Sequence, residues 1–125
     1  MAYLDFQLLL YVPAEHYEAC RTFYERVFSV QPFYGWDEGI EDRGVKYNLA
    51  GTKLVLLTQK NPFPFYGTVH FQLQVPALED IYQRAQAIGA VTQEPFFRPY
   101  GWHMFRIADP AGNHINIYTV PTRSV

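Results

Sequence analysis

The chain has 125 residues, the size of one domain, and 49% of them are hydrophobic, which supports a packed core and argues against disorder. Ten basic against twelve acidic residues leave a net charge of −2 with no basic stripe, so nucleic acid is not an expected partner. The apolar runs, such as Leu8 to Val12 and Leu54 to Leu57, are too short to span a bilayer, no signal-peptide pattern opens the chain, and Cys20 alone cannot form an internal disulfide; a reducing cytoplasm is the expected location.

Phe6 to Val12 reads as a strand that Pro13 ends. Ala14 to Phe28 carries Ala19, Cys20, Phe23, Val27 and Phe28 at helical spacing, with charged residues largely on the other face. Gln31 to Gly44 holds one proline and three glycines and reads as a loop with room for a short strand. Lys46 to Leu49 and Lys53 to Thr58 are strands, joined into a hairpin by Ala50-Gly51-Thr52. Residues 59–69, with two prolines and a glycine, read as a connection.

After the connection the pattern restarts. His70 to Val75 alternates strictly and ends at Pro76; Ala77 to Ile88 is helical, with Gly89 as its stop. Ala90 to Thr92 and Trp102 to Ile107 read as strands, and the aromatic, proline-rich Pro95 to Trp102 between them as a lid over a cavity mouth or a packed loop. Asp109 to Asn113 is a turn and His114 to Val120 the last strand. The two halves share more than element order: Gln7, Leu10, Val12-Pro13-Ala14 and Arg21 fall opposite His70, Leu73, Val75-Pro76-Ala77 and Arg84. The expectation is an α+β domain over 1–125, with βαβββ modules at 1–60 and 70–125 and a connector at 59–69. Two curved half-barrel sheets would enclose a cavity, with the helices outside. Aromatic residues make up 18% of the chain, which suits a cavity that stacks flat ligands as well as a core.

Four motifs in this order resemble the vicinal oxygen chelate superfamily, which includes glyoxalases, bleomycin-resistance proteins and extradiol dioxygenases. They are Gln7 ahead of Val12-Pro13, Phe23-Tyr24-Glu25-Arg26-Val27-Phe28, His70 ahead of Val75-Pro76, and Asp109-Pro110-Ala111-Gly112-Asn113-His114-Ile115-Asn116-Ile117. The resemblance implies two βαβββ modules and a homodimer. It also implies that a metal, where present, is held at Gln7, Val55, His70 and Asn116. A divalent ion asks for three or four imidazole, carboxylate or thiolate donors with some negative charge. His70 qualifies, Gln7 and Asn116 are neutral amides, and Val55 has no donor. The expectation is therefore no cofactor, with Gln7, His70 and Asn116 as the ligands of the alternative, one divalent metal ion. His114, two residues before Asn116, is a further substitute ligand or simply an exposed residue after the turn.

Strand parity names the ligand-binding face. If Gln7 and His70 point inward, so do Leu9, Tyr11, Gln72 and Gln74, while Phe6, Leu8, Leu10, Phe71, Leu73 and Val75 pack against the helices. The last two strands add Trp102, Met104, Arg106, Asn116 and Tyr118 to the inner side. Amides and an imidazole orient a planar polar ligand and the aromatics stack on it; Arg106 binds an anionic group, stacks, or serves only as a surface ion-pair residue. The first functional expectation is a small-molecule binder resembling bleomycin-resistance proteins, without the usual metal site. The alternative is an enzyme, either a metal-dependent lyase or dioxygenase type with a modified site or one using His70 as a metal-free acid–base group. A third reading is a dimer module with a vestigial cavity, for which Phe63, Phe65 and Tyr66 would cover the seam. The sequence leaves open whether the cavity forms within one chain or across a dimer.

Overall fold

The computed structural model describes residues 2–63 and 65–121, so Pro64 of the connector lies outside it. The first half runs β1 (Gln7–Tyr11), a 3-10 turn (Ala14–His16), α1 (Tyr17–Val27), β2 (Tyr34–Asp37), β3 (Arg43–Leu49) and β4 (Thr52–Leu57). The second half repeats it: β5 (His70–Gln74), α2 (Glu79–Ala87), β6 (Val91–Phe97), β7 (His103–Ala108) and β8 (His114–Thr119). Each half forms a four-stranded sheet, ordered β1-β4-β3-β2 and β5-β8-β7-β6, and the two do not close into a barrel. The first strand of each half pairs parallel with the last, and the other pairs are antiparallel. This is the two-module α+β architecture expected from the repeat.

Local chemistry explains the boundaries. Leu49 pairs with Thr52 across a two-residue loop in which Ala50 and Gly51 both have positive φ, 52° and 84°. That is the primed turn whose twist matches a hairpin. Gly89 stops α2 at φ 69°, and the amide of Ala90 reaches back to the carbonyl of Ala85 to satisfy the helix end. In α1, Tyr17, Cys20, Phe23, Tyr24 and Val27 are buried at helical spacing. No helix among the described residues is long and apolar enough to cross a membrane.

The helix-facing sides of both sheets share one core with α1 and α2. Leu10, Leu54 and Leu56 of the first sheet and Phe105, Ile107, Ile115 and Ile117 of the second belong to the same buried cluster as Phe23, Tyr24, Ile81 and Ala85. Arg84 of α2 donates to the carbonyl of Val27 at the end of α1, tying the two helices. Both sheets therefore turn their other faces away from the core.

Three details differ from the expectation. The loop up to Gly44 does hold the short strand it had room for, β2, but β3 starts at Arg43, ahead of the expected Lys46, because Tyr34–Asp37 pair antiparallel with Arg43–Lys46. The strand expected to end at Thr92 runs on through Phe97, so Pro95, Phe96 and Phe97 belong to β6. Its register with β7 shifts on either side of Gln93, and Pro95, with no amide hydrogen to give, falls in the second irregular stretch. Phe6, expected against the helices, is 71% exposed, since it precedes the first paired residue of β1.

Candidate functional site

Seven of the nine expected ligand-binding residues gather on the outward face of the second sheet. Alternation along β5 leaves His70, Gln72 and Gln74 exposed, with Phe71 and Leu73 packed toward the core. Register then places His114, Asn116 and Tyr118 of β8 beside them, and Arg106 and Met104 of β7 opposite Asn116 and Tyr118. Gln74 stands opposite Tyr118 in this ladder.

Asn116 is the hub. Arg106 Nε donates to Asn116 Oδ1 at 3.1 Å, and His70 Nε2 meets the same oxygen at 3.1 Å. An arginine Nε–H can only donate, so the shared atom is the amide oxygen, and His70 must also donate through Nε2. The Asn116 amide nitrogen points to Gln72 Oε1 at a long 3.5 Å. Beside this cluster Trp102 and Tyr118 stack face to face, with ring centroids 4.2 Å apart and planes 10° from parallel. Tyr100 meets Trp102 edge-on at 5.1 Å. The face is open: a shallow cavity of about 210 Å³ lies against His70, Gln72 and Asn116.

The remaining two residues sit on the first sheet. The Gln7 amide nitrogen donates to Asp5 Oδ2 at 2.8 Å, and its oxygen accepts from Lys46 Nζ at 3.2 Å. Lys53, opposite Gln7 in the ladder, pairs with Asp5 at 2.9 Å and pulls that carboxyl down to about 2. Tyr11 and Leu9 line a cavity of about 480 Å³ roofed by Phe63, Phe65 and Tyr66 of the connector. The connector aromatics thus cover part of this face within the chain, and they remain largely exposed on their other side.

Sequence reasoning did not single out Lys46 and Lys53. Nor did it find Trp36, which lies over Gly44 on the same face, its indole N–H donated to Asp42 at 3.0 Å. Alternation along each strand was available as a signal, but only the register of β2 and β3 shows which residues stand together.

The glyoxalase-like domain family matches residues 10–118. Several solved structures share the fold. TnmS3, an antibiotic binding protein from Streptomyces sp. CB03234, is 25% identical with a TM-score of 0.73, over 97% of this chain and 99% of its own. A glyoxalase-related enzyme from Fulvimarina pelagi is 18% identical with a TM-score of 0.75, over 100% of this chain and 93% of its own. Lactoylglutathione lyase from Agrobacterium tumefaciens is 20% identical with a TM-score of 0.69, over 95% of each chain. A search of curated proteins finds no match to the sequence. The family match over most of the chain, on two βαβββ modules of this topology, makes this protein a member of the glyoxalase-like domain family, within the vicinal oxygen chelate superfamily.

Proposed function

We propose that the protein is a small-molecule binder that captures a planar aromatic compound on the outward face of its second sheet, without a metal and without chemistry. The observation that carries this reading is the state of the two candidate oxygen ligands. Gln7 Oε1 accepts from the Lys46 ammonium and Asn116 Oδ1 from the Arg106 guanidinium. A divalent cation at either oxygen would compete with a side-chain cation a hydrogen bond away; Asp5, the carboxylate beside Gln7, is already paired with Lys53. Val55 contributes no donor, and no cluster of three His, Cys, Asp or Glu side chains occurs among the described residues. This donor set does not match a divalent ion. The superfamily's proton-abstraction and oxygenation chemistries depend on that ion or on its carboxylate ligands, so capture is the function the residues support.

The stacked Trp102–Tyr118 pair, half-buried, offers a flat surface beside the amides that would orient a ligand. The antibiotic-binding description of TnmS3 agrees with such a role. We also propose a homodimer in the cytoplasm, in which a second copy covers the open faces and makes them a closed cavity. The exposed Leu9, Phe63 and Phe65 suit an interface, and the lone buried Cys20 suits a reducing compartment.

Elemental analysis of the purified protein tests the metal-free part. Stoichiometric Ni, Zn, Mn or Fe that is lost in His70→Ala would return the protein to the metal-dependent enzymes. Thermal shift against a panel of fused-ring aromatics tests the capture part, because a compound that binds only the folded chain raises Tm. A panel with no shift in Tm overturns it. Sedimentation equilibrium tests the dimer, and a monomer at tens of micromolar would remove it.

A further inference from the structure

We infer that the compound captured on the second sheet carries an anionic group, a carboxylate or phenolate on its aromatic ring, and that the guanidinium of Arg106 receives it. This deepens the binding reading above and rests on it. The chain as a whole is acidic, with a net charge of −2, yet the outward face of the second sheet is not. The side chains that β5, β7 and β8 turn to this face include Arg106, His70 and His114 and no carboxylate. Gln93, opposite Arg106 on β6, is neutral as well. The nearest acid on that strand, Glu94, is bonded to the Tyr82 hydroxyl, whose ring packs on Phe105 at the core side.

Arg106 itself is half-buried and has no carboxylate partner among the described residues. Its Nε is spent on Asn116, and its guanidinium carbon lies 5.7 Å from the centre of the Phe96 ring. Both contacts hold the group in place and leave its charge uncompensated. The two terminal NH₂ groups form no hydrogen bond with the described residues, and this end-on pair matches the two oxygens of a carboxylate. Tyr118 lies two residues from Asn116 along β8. A ring stacked on the Trp102–Tyr118 pair therefore lies about 7 Å along the strand from the Arg106 row, within the length of a fused bicyclic acid.

The test is calorimetric titration of the full chain with 2-naphthoate and 2-naphthamide, which share a ring system and differ in charge. The expected result is naphthoate bound at least about ten-fold more tightly. That gap should close in Arg106→Gln and persist in part in Arg106→Lys, with circular dichroism confirming that both variants fold; if Arg106→Gln does not fold, Arg106→Lys and the wild-type pair decide. Equal binding of the two compounds to the wild type overturns the anionic inference and leaves the aromatic-binder reading standing. A gap that survives Arg106→Gln overturns the assignment to Arg106. Binding of neither compound overturns both readings together.

Discussion

The Tyr24 hydroxyl of α1 donates a hydrogen bond of 2.6 Å to the carboxylate of Asp109, in the turn before β8, and so joins the first module to the second inside the core. Asp109 is almost wholly buried, and its other bonds are local. It accepts from the amides of Ala111 and Asn113 and from the Asn113 side chain, each at 2.9 Å. Asn113 in turn accepts from the amide of Val69 at 3.1 Å, fixing the entry to β5. Two of the motifs that carry the family resemblance, the aromatic end of α1 and the Asp-Pro-Ala-Gly-Asn turn, are thus one clasp, and its work is to hold the modules together. A buried carboxylate is tolerable here because donors surround it.

Replacing Tyr24 by Phe should remove one charge-assisted bond from a site that water cannot refill. The expected loss is about 2 kcal/mol of folding stability, read from the urea midpoint at an unchanged m-value. A loss below about 0.5 kcal/mol would mean that the clasp does not tie the modules.

Alkaline solution should weaken the fold. Burial raises the Tyr24 hydroxyl well above its usual range, raises Tyr47 as well, and pushes the Cys20 thiol up to about 12. Each group keeps its proton longer in the folded chain than in the unfolded one. Their contribution is therefore complete below the unfolded values, about 8.5 for the thiol and about 10 for the phenols, and falls as pH rises beyond them. Denaturant midpoints measured from pH 7 to 11 should be flat at first and decline above about pH 9, the decline being shallower in Cys20→Ala. A midpoint that rises with pH would refute this.

Gly67 is where the connector meets the second module. It has φ 69°, and a Cβ there would run into the carbonyl oxygen of Ala111. Gly67→Ala should cost more than about 2 kcal/mol, from backbone strain and from displacement of the turn that Asp109 organises. Thermal unfolding checks it; an unchanged Tm would show that the connector does not need this contact.

Trp102→Ala removes half of the stacked pair. Binding of flat aromatics should weaken about ten-fold, which is about 1.4 kcal/mol, while Tm in the absence of ligand stays close to the wild type because Trp102 is only half-buried. Calorimetry on the variant decides it, and unaltered affinity would move the binding surface elsewhere.

Much of the fold could be read from residues close in sequence. Period-two alternation in His70–Gln74, helical spacing in Tyr17–Val27 and the Val-Pro-Ala repeat define both modules without any knowledge of partners. The same alternation predicted which side chains of β5 and β8 stand on one face, and the structure puts His70, Gln72, Asn116 and Tyr118 there. Pro95 misled the reading because proline normally ends a strand, and only the irregular pairing of β6 with β7 shows how it is accommodated.

The sequence by itself determined the two-module architecture, the side chains that β5 and β8 turn to one face and the lack of carboxylates at the family's ligand positions. These follow from side-chain type and short-range geometry, which a linear chain displays directly. Tertiary structure alone decided that Lys46 reaches Gln7, that Arg106 and His70 share the Asn116 oxygen, and that Tyr24 bonds Asp109. Each of these pairs is brought together by strand register or by the packing of one module on the other. Such contacts depend on the whole chain closing on a common core, and no local pattern encodes them.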